Sequence, residues 1–510
     1  MKSIKKYTIL SAVALSLLGS CSDEFLEVDP KGQFLESNYY QNYDQAFAGL
    51  VAAYDPVGWI SDNYVAKEMS ANIASDDHYT GGGNSSDVLA MQVWTNYTLD
   101  PANGPQDRLW QRGFQGAFRT NTLLSKLPNA EMNETDRSRF AAEAKFLRAY
   151  YYFDLIRLFE RIPLITEPIE ASEVYNIPQV DRGVVFAQIE KDLMEAMDDL
   201  PIKIDVASEG GRATQGAAKA LLGKVYLQQE KFTEAAAQLS EVNGTPGGTS
   251  KYGYKLLDNF GDLFDGKHKF NEESIFEVSH SSSSNAVWDC IGCSEGNLLN
   301  VMSAPRSYAV KEEGRGAPEY ISGWGFNTVS TSLAEAYINA DGSYDGRYKY
   351  TVSNIDSLAQ LGVISYDPSY QNTGYFLEKF AGKKANQSTG GGNWELNFPQ
   401  NFYDIRLADT YLMEAEALVR GGGNTARAQA LLDAVRTRSG NEPIPATFEN
   451  IFKERRLELA GEGHRWYDLV RTGKAAEALK DRGYVEGKHD KLPIPLLELN
   501  NTVLEQDPAY

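Results

Sequence analysis

The chain has 510 residues, 42% of them hydrophobic and 23% charged, with a mean hydropathy of −0.41, which places it among folded soluble proteins and excludes a multi-span membrane protein. At this length one small core does not suffice, so two lobes or one large elaborated domain are expected. The formal net charge is −21 and no run of clustered Lys and Arg is present, which excludes a phosphate-gripping surface and nucleic acid as a partner.

Residues 1–20 read as a targeting segment. Lys2, Lys5 and Lys6 form a positive start, residues 7–18 an apolar stretch, and Gly19 and Ser20 a small-residue end. The stretch is too short for a permanent membrane span. Leu18-Gly19-Ser20-Cys21 resembles a bacterial lipobox, which predicts lipidation of Cys21 and membrane anchoring without a spanning helix. The alternative is a free thiol beside an ordinary cleavage site. Ser22-Asp23-Glu24 resembles the acidic signal that sends lipoproteins to the cell surface.

The region 21–245 is mostly helical in pattern. Over 135–160, Phe140, Ala144, Leu147, Tyr151, Leu155 and Leu158 recur at three- and four-residue steps, with Thr135 as N-cap. Phe146, Tyr150, Tyr152 and Phe153 on the other faces predict burial on most sides. Residues 214–240 match a tetratricopeptide helix-turn-helix at Leu222, Gly223, Tyr226, Phe232 and Ala235, with Lys219 at the position where Trp is expected. A second pair is 404–420 with 425–438, split by Gly421, Gly422 and Gly423. Weaker pairs are 37–54 with 105–127, and 135–160 with 183–199. The region 246–400 changes character: Gly, Ser, Asn, Asp and Tyr dominate, as they do in 76–104. Structureless stretches of this length are uncommon unless functional. The region 401–510 returns to helical text. The fold class is thus mostly α, a tetratricopeptide-like helical-repeat scaffold with a loop-rich insertion lobe.

Catalytic signatures are missing. With 70 acidic residues, no carboxylate pair can be singled out. The five His residues (His78, His268, His280, His464, His489) are scattered and form no HExxH. Neither a P-loop nor a dinucleotide fingerprint occurs, so neither a cofactor nor a metal is expected. Cys290-Ile291-Gly292-Cys293 offers two thiolates where zinc needs about four ligands. It also lacks the strand-helix context of a redox motif. A local disulfide between Cys290 and Cys293 bracing a loop is the reading, with free thiols as the alternative.

Five phrases bear on family. They are AEAKFLRAYYYFDLIRLFERIPLIT at 142–166, GRATQGAAKALLGKVYLQ at 211–228, IRLADTYLMEAEA at 405–417, ERRLELAGEGHRWYDLVR at 454–471 and LPIPLLELNNTVLEQDPAY at 492–510. In this order, behind a lipobox, they resemble the SusD/RagB family of outer-membrane nutrient-binding lipoproteins. Thr502, where the family often has Pro, and the terminal Asp507-Pro508-Ala509-Tyr510 depart from the usual pattern. The residues of 454–471 read structurally. Leu457, Leu459, Trp466 and Leu469 supply apolar surface, Glu454, Arg455, Arg456, Glu458, Arg465 and Asp468 an ion-pair network, and Gly473 the helix end.

The resemblance implies a helical scaffold with a loop-rich lobe, seated over a TonB-dependent (SusC-like) outer-membrane transporter. It implies capture of oligosaccharides, or alternatively peptides, and no catalysis. Sugars have apolar C–H faces and polar rims, which aromatic faces and polar side chains respectively suit. Aromatic and polar residues in loop text are therefore the candidates: Asp77, Tyr79, Trp94, Asn96, Trp288, Tyr320 and Trp324. The alternative for each Trp is a core position, as expected for Trp110 and Trp466.

Overall fold

The computed structural model describes residues 39–58 and 64–510; Cys21 and the targeting segment lie outside the described residues. Twelve helices of seven residues or more lie among the described residues. They are α1 Tyr43–Tyr54, α2 Lys67–Ile73, α3 Leu89–Thr95, α4 Gln106–Lys126, α5 Glu134–Phe159 and α6 Arg182–Ala196 in the first half. After these come α7 Gln215–Gln228, α8 Phe232–Asn243, α9 Leu407–Arg420, α10 Thr425–Arg438, α11 Phe448–Glu458 and α12 Arg465–Arg471. Side chains set several starts. Asn42, Asn133, Thr214, Asn424 and Thr447 each accept a hydrogen bond from the backbone N–H three residues on. Asn133, not Thr135, caps α5, which begins two residues earlier than expected.

The long helices stack in sequence. α1 packs on α4, α4 on α5, α5 on α6, α6 on α7, α7 on α8, α8 on α9, and α9 on both α10 and α11. All four helix pairs read from the sequence are therefore neighbours in space, and the stack is mostly α and tetratricopeptide-like. α5 is buried on nearly every side, and Arg148 grips Asp192 of α6 through two bonds at 2.8 and 2.6 Å. No helix among the described residues is long and apolar enough to cross a membrane.

The loop-rich text is better ordered than its composition suggests. It contributes to four of the five separate two-stranded antiparallel ribbons among the described residues. Their strands are β1 His78–Gly81, β2 Ile162–Pro163, β3 Gln179–Val180, β4 Ser274–Val278, β5 Arg306–Val310, β6 Phe326–Val329, β7 Val352–Asn354, β8 Ile364–Asp367, β9 Tyr375–Leu377 and β10 Phe402–Arg406. The pairs are β1 with β6, β2 with β3, β4 with β10, β5 with β8, and β7 with β9. Phe276 of β4 meets Phe146 of α5 edge-on at 5.1 Å, so the β4–β10 ribbon sits on the helical stack and one apolar core runs through both lobes. Lys67 adds a polar tie, reaching Asp154 of α5 at 2.9 Å and Asp404 of β10 at 3.2 Å.

The charged phrase at 454–471 forms two helices rather than one. Gly461 and Gly463, at φ of +79° and +78°, turn the chain between α11 and α12. The turn brings Glu458 and Glu462 against guanidiniums from distant elements. Arg406 of β10 reaches Glu273, Glu458 and Glu462 at 2.8, 2.7 and 2.8 Å. Arg347 reaches Asp345, Glu454 and Glu458 at 2.7, 2.7 and 2.9 Å, and Arg438 joins Glu458 to Glu273. Burial would raise the Glu458 carboxyl, but Arg438, Arg406 and Arg347 outweigh it and hold it far below the usual range.

Candidate functional site

Trp288 and Trp324 come together at the surface of the loop-rich lobe. Their ring centroids are 5.9 Å apart with planes 30° from parallel, and Tyr64 meets Trp324 edge-on at 5.5 Å. All three rings are half-buried, each resting on the core by one side and leaving part of its surface to solvent. The result is a half-exposed aromatic cluster, two indoles inclined at 30° with the Tyr64 ring turned across Trp324. Asp289, next to Trp288, and Ser322, two residues before Trp324, are exposed polar groups beside it in the chain.

The backbone fixes Trp324 tightly. Its N–H donates to Val301 O at 3.0 Å, and Gly323 and Gly325 donate to Pro305 and Ala304 carbonyls at 2.9 and 2.8 Å. A Cβ on Gly323 would lie 2.5 Å from Val301 O, and Gly325, at φ +69°, admits no side chain beside Ser369. The Gly-Trp-Gly text is thus what lets this segment press against the 301–305 turn. Trp288 is placed from the other side. Its N–H donates to Asn393 Oδ1 at 3.1 Å, and the buried Asn397 amide holds the preceding loop through Ala286 N and O, both at 3.0 Å.

The other expected ligand residues lie elsewhere, and three of them are internal. Trp94 is 1% exposed and packs edge-on against Trp466 at 5.6 Å, because α3 turns it inward. Tyr320 is fully buried and donates its hydroxyl to Glu378. Asp77 is buried and accepts from Arg456 Nε at 2.6 Å, which makes it part of the charged network; burial raises its carboxyl. These three offer no face to a surface ligand. Tyr79 lies beneath the Arg482 guanidinium at 4.2 Å, and Asn96 accepts from Gln371 at 3.3 Å; both are half-buried, away from the tryptophan pair's ring contacts. Tyr64 was not among the candidates. Its signal is a Tyr in the turn-rich text Ser61-Asp62-Asn63-Tyr64 just past a helix.

Cys290 and Cys293 are joined by a disulfide, which closes a kinked 3-10 segment over Trp288–Cys293. Behind this turn lies a cavity of about 710 Å³, walled by Phe47 and Val51 of α1, Arg108 and Gln111 of α4, and Ile291 and Glu295 of the turn region. Burial raises the Glu295 carboxyl, and the Asp55 carboxylate adds to the effect. His280 on the same wall is lowered by burial to about 4. Among the described residues, Asp262, Asp265 and His268 are close enough to share a metal ion, but their atoms are already engaged in turns: His268 Nδ1 and Asp265 are 2.8 Å apart, and Asp262 accepts from Asn259.

Known proteins are similar along nearly the whole chain. A family model described as "SusD family" matches residues 344–493, and one described as "Starch-binding associating with outer membrane" matches residues 24–227. SusD-like protein P25 of Formosa agariphila is 24% identical over 97% of both chains. Among solved structures, a laminarin binding SusD-like protein is 51% identical, covered over 92% of this chain and 100% of its own, with a TM-score of 0.88. Surface glycan-binding protein A from Bacteroides thetaiotaomicron, in complex with laminarihexaose, is 27% identical with the same coverage and a TM-score of 0.81. With half of its residues and its fold in common with a SusD-like protein over nearly the whole chain, and family models matching both halves, the chain belongs to the SusD family.

Proposed function

We propose that this protein is a lipid-anchored, outward-facing outer-membrane protein. It binds a laminarin-type oligosaccharide and hands it to a partner TonB-dependent transporter. The observation that carries the reading is the half-exposed pair Trp288 and Trp324, with Tyr64 at its edge, whose aromatic surface suits the C–H faces of sugar rings. The laminarin-binding relative and the laminarihexaose-bound one direct the choice of glycan. Anchoring rests on the lipobox at Cys21, and delivery on the family's association with the outer membrane. The protein acts by capture, without turning its ligand over.

Calorimetry of the full chain against laminarihexaose, maltohexaose and a mixed peptide library tests this. Saturable binding to laminarihexaose with no new reducing ends is expected. Binding to maltohexaose alone would move the substrate to another glucan. Binding to peptides alone, or release of reducing ends, would overturn the reading.

A further inference from the structure

The turn that carries Trp288 has little beneath it. Trp288 and Ile291 touch the edge of the core, but Ile291, Gly292, Ser294 and Glu295 border the cavity behind the platform. A Cβ on Gly292 would meet nothing within 4 Å. Within the turn the hydrogen bonds are local, Cys290 N–H donating to Val287 O at 2.9 Å and Ser294 N–H to Ile291 O at 3.0 Å, and the long-range tie comes at its far end, where the Ser294 hydroxyl donates to Leu396 O at 2.5 Å. It is not a regular helix either, since Cys290 breaks it at φ −142° and ψ 76°. Trp324 is held on both sides by backbone bonds and glycine close contacts, whereas Trp288 is held only from its N-terminal side, by Asn393 at its own N–H and Asn397 at Ala286, and is followed by this kinked turn.

We infer that the Cys290–Cys293 disulfide is a positioning element for ligand binding: it sets the pitch of Trp288 against Trp324 by closing a turn that packing does not hold. The inference rests on the glycan reading for its consequence but not for its geometry. Cross-linking two residues of the turn removes the conformers in which the indole swings over the cavity, so the ordering cost of binding is met before the ligand arrives. Both cysteines are exposed, which leaves the bond open to reductant in the folded protein.

The test uses the full chain labelled with 5-fluorotryptophan. Fluorine NMR is recorded oxidised, after reduction, and for Cys290→Ser/Cys293→Ser, with the Trp288 signal assigned by its loss in Trp288→Phe. On reduction the Trp288 signal is expected to shift or broaden while those of Trp94 and Trp466 stay. Affinity for laminarihexaose is expected to fall about three- to tenfold, the ordering cost of one or two side chains. An unmoved Trp288 signal overturns the inference whatever the ligand does. A moved signal with no laminarihexaose binding in any state supports the positioning role and overturns the choice of ligand instead. A moved signal with unchanged affinity overturns the role in binding.

Discussion

Trp94→Ala and Trp288→Ala remove the same side chain from opposite environments. The Trp94 ring is 1% exposed, so its loss is expected to cost about 3–5 kcal/mol of stability in urea unfolding and to leave affinity of the folded fraction unchanged. Trp288→Ala or Trp324→Ala is expected to weaken laminarihexaose binding by about 1–3 kcal/mol with little loss of stability. The reverse pattern would show the platform to be core. The sequence made the candidates visible as loop aromatics, yet it could not separate Trp94 from Trp288. Trp94 lies in the same turn-rich text but on a helix short enough to escape the apolar period. The meeting of Trp288 with Trp324 depends on Gly323 pressing on Val301, a long-range contact with no local signature. Asp76 offers a different test. Burial would raise its carboxyl, but Arg465, bonded at 2.8 and 2.9 Å, and Arg456 hold it at about 2 from an ordinary 3.8. A depressed carboxyl stabilises fully above its unfolded value and less as pH falls towards its folded one. The stability gap between wild type and Asp76→Asn is therefore expected to be constant from about pH 7 to 5, at most about 2 kcal/mol, and to shrink by about half at pH 3. A gap that grows with acid would refute the pairing.

At the level of elements, Glu458 joins α11 to β10, to α10 and to Arg347. Glu458→Gln keeps the shape but leaves Arg347, Arg406 and Arg438 sharing fewer buried negative charges. A loss of about 3–5 kcal/mol in urea unfolding is expected, as for breaking a buried ion network from one side. A loss under about 1 kcal/mol would mean that Glu273, Glu454 and Glu462 suffice. The sequence identified Glu454 and Glu458 on the 454–471 run but neither Glu462 nor the distant partners, because Arg347 and Arg406 are delivered by the fold. The helix pairs were legible because amphipathic period and small residues are local properties. The ribbons were not: their strands are two to five residues long, in text whose composition reads as loop.

For the whole molecule, Cys21→Ala is expected to move the protein from membrane to soluble fractions, and unchanged retention would mean another anchor. The general architecture was legible because five family phrases span both ends of the chain. What they could not convey is that the loop-rich lobe and the helical stack share one core. β1 at 78–81 pairs with β6 at 326–329, and β4 at 274–278 with β10 at 402–406. A nascent chain can complete α1 through α8 while β1 has no partner, and it cannot seat β4 until the second helical region begins to emerge. Arg406 then finds Glu458 and Glu462 only when most of the protein has been made. The platform is thus assembled late in biogenesis, and a prematurely terminated product has no competent capture surface to display. Completeness of synthesis is in effect proofread by topology before the protein can bind.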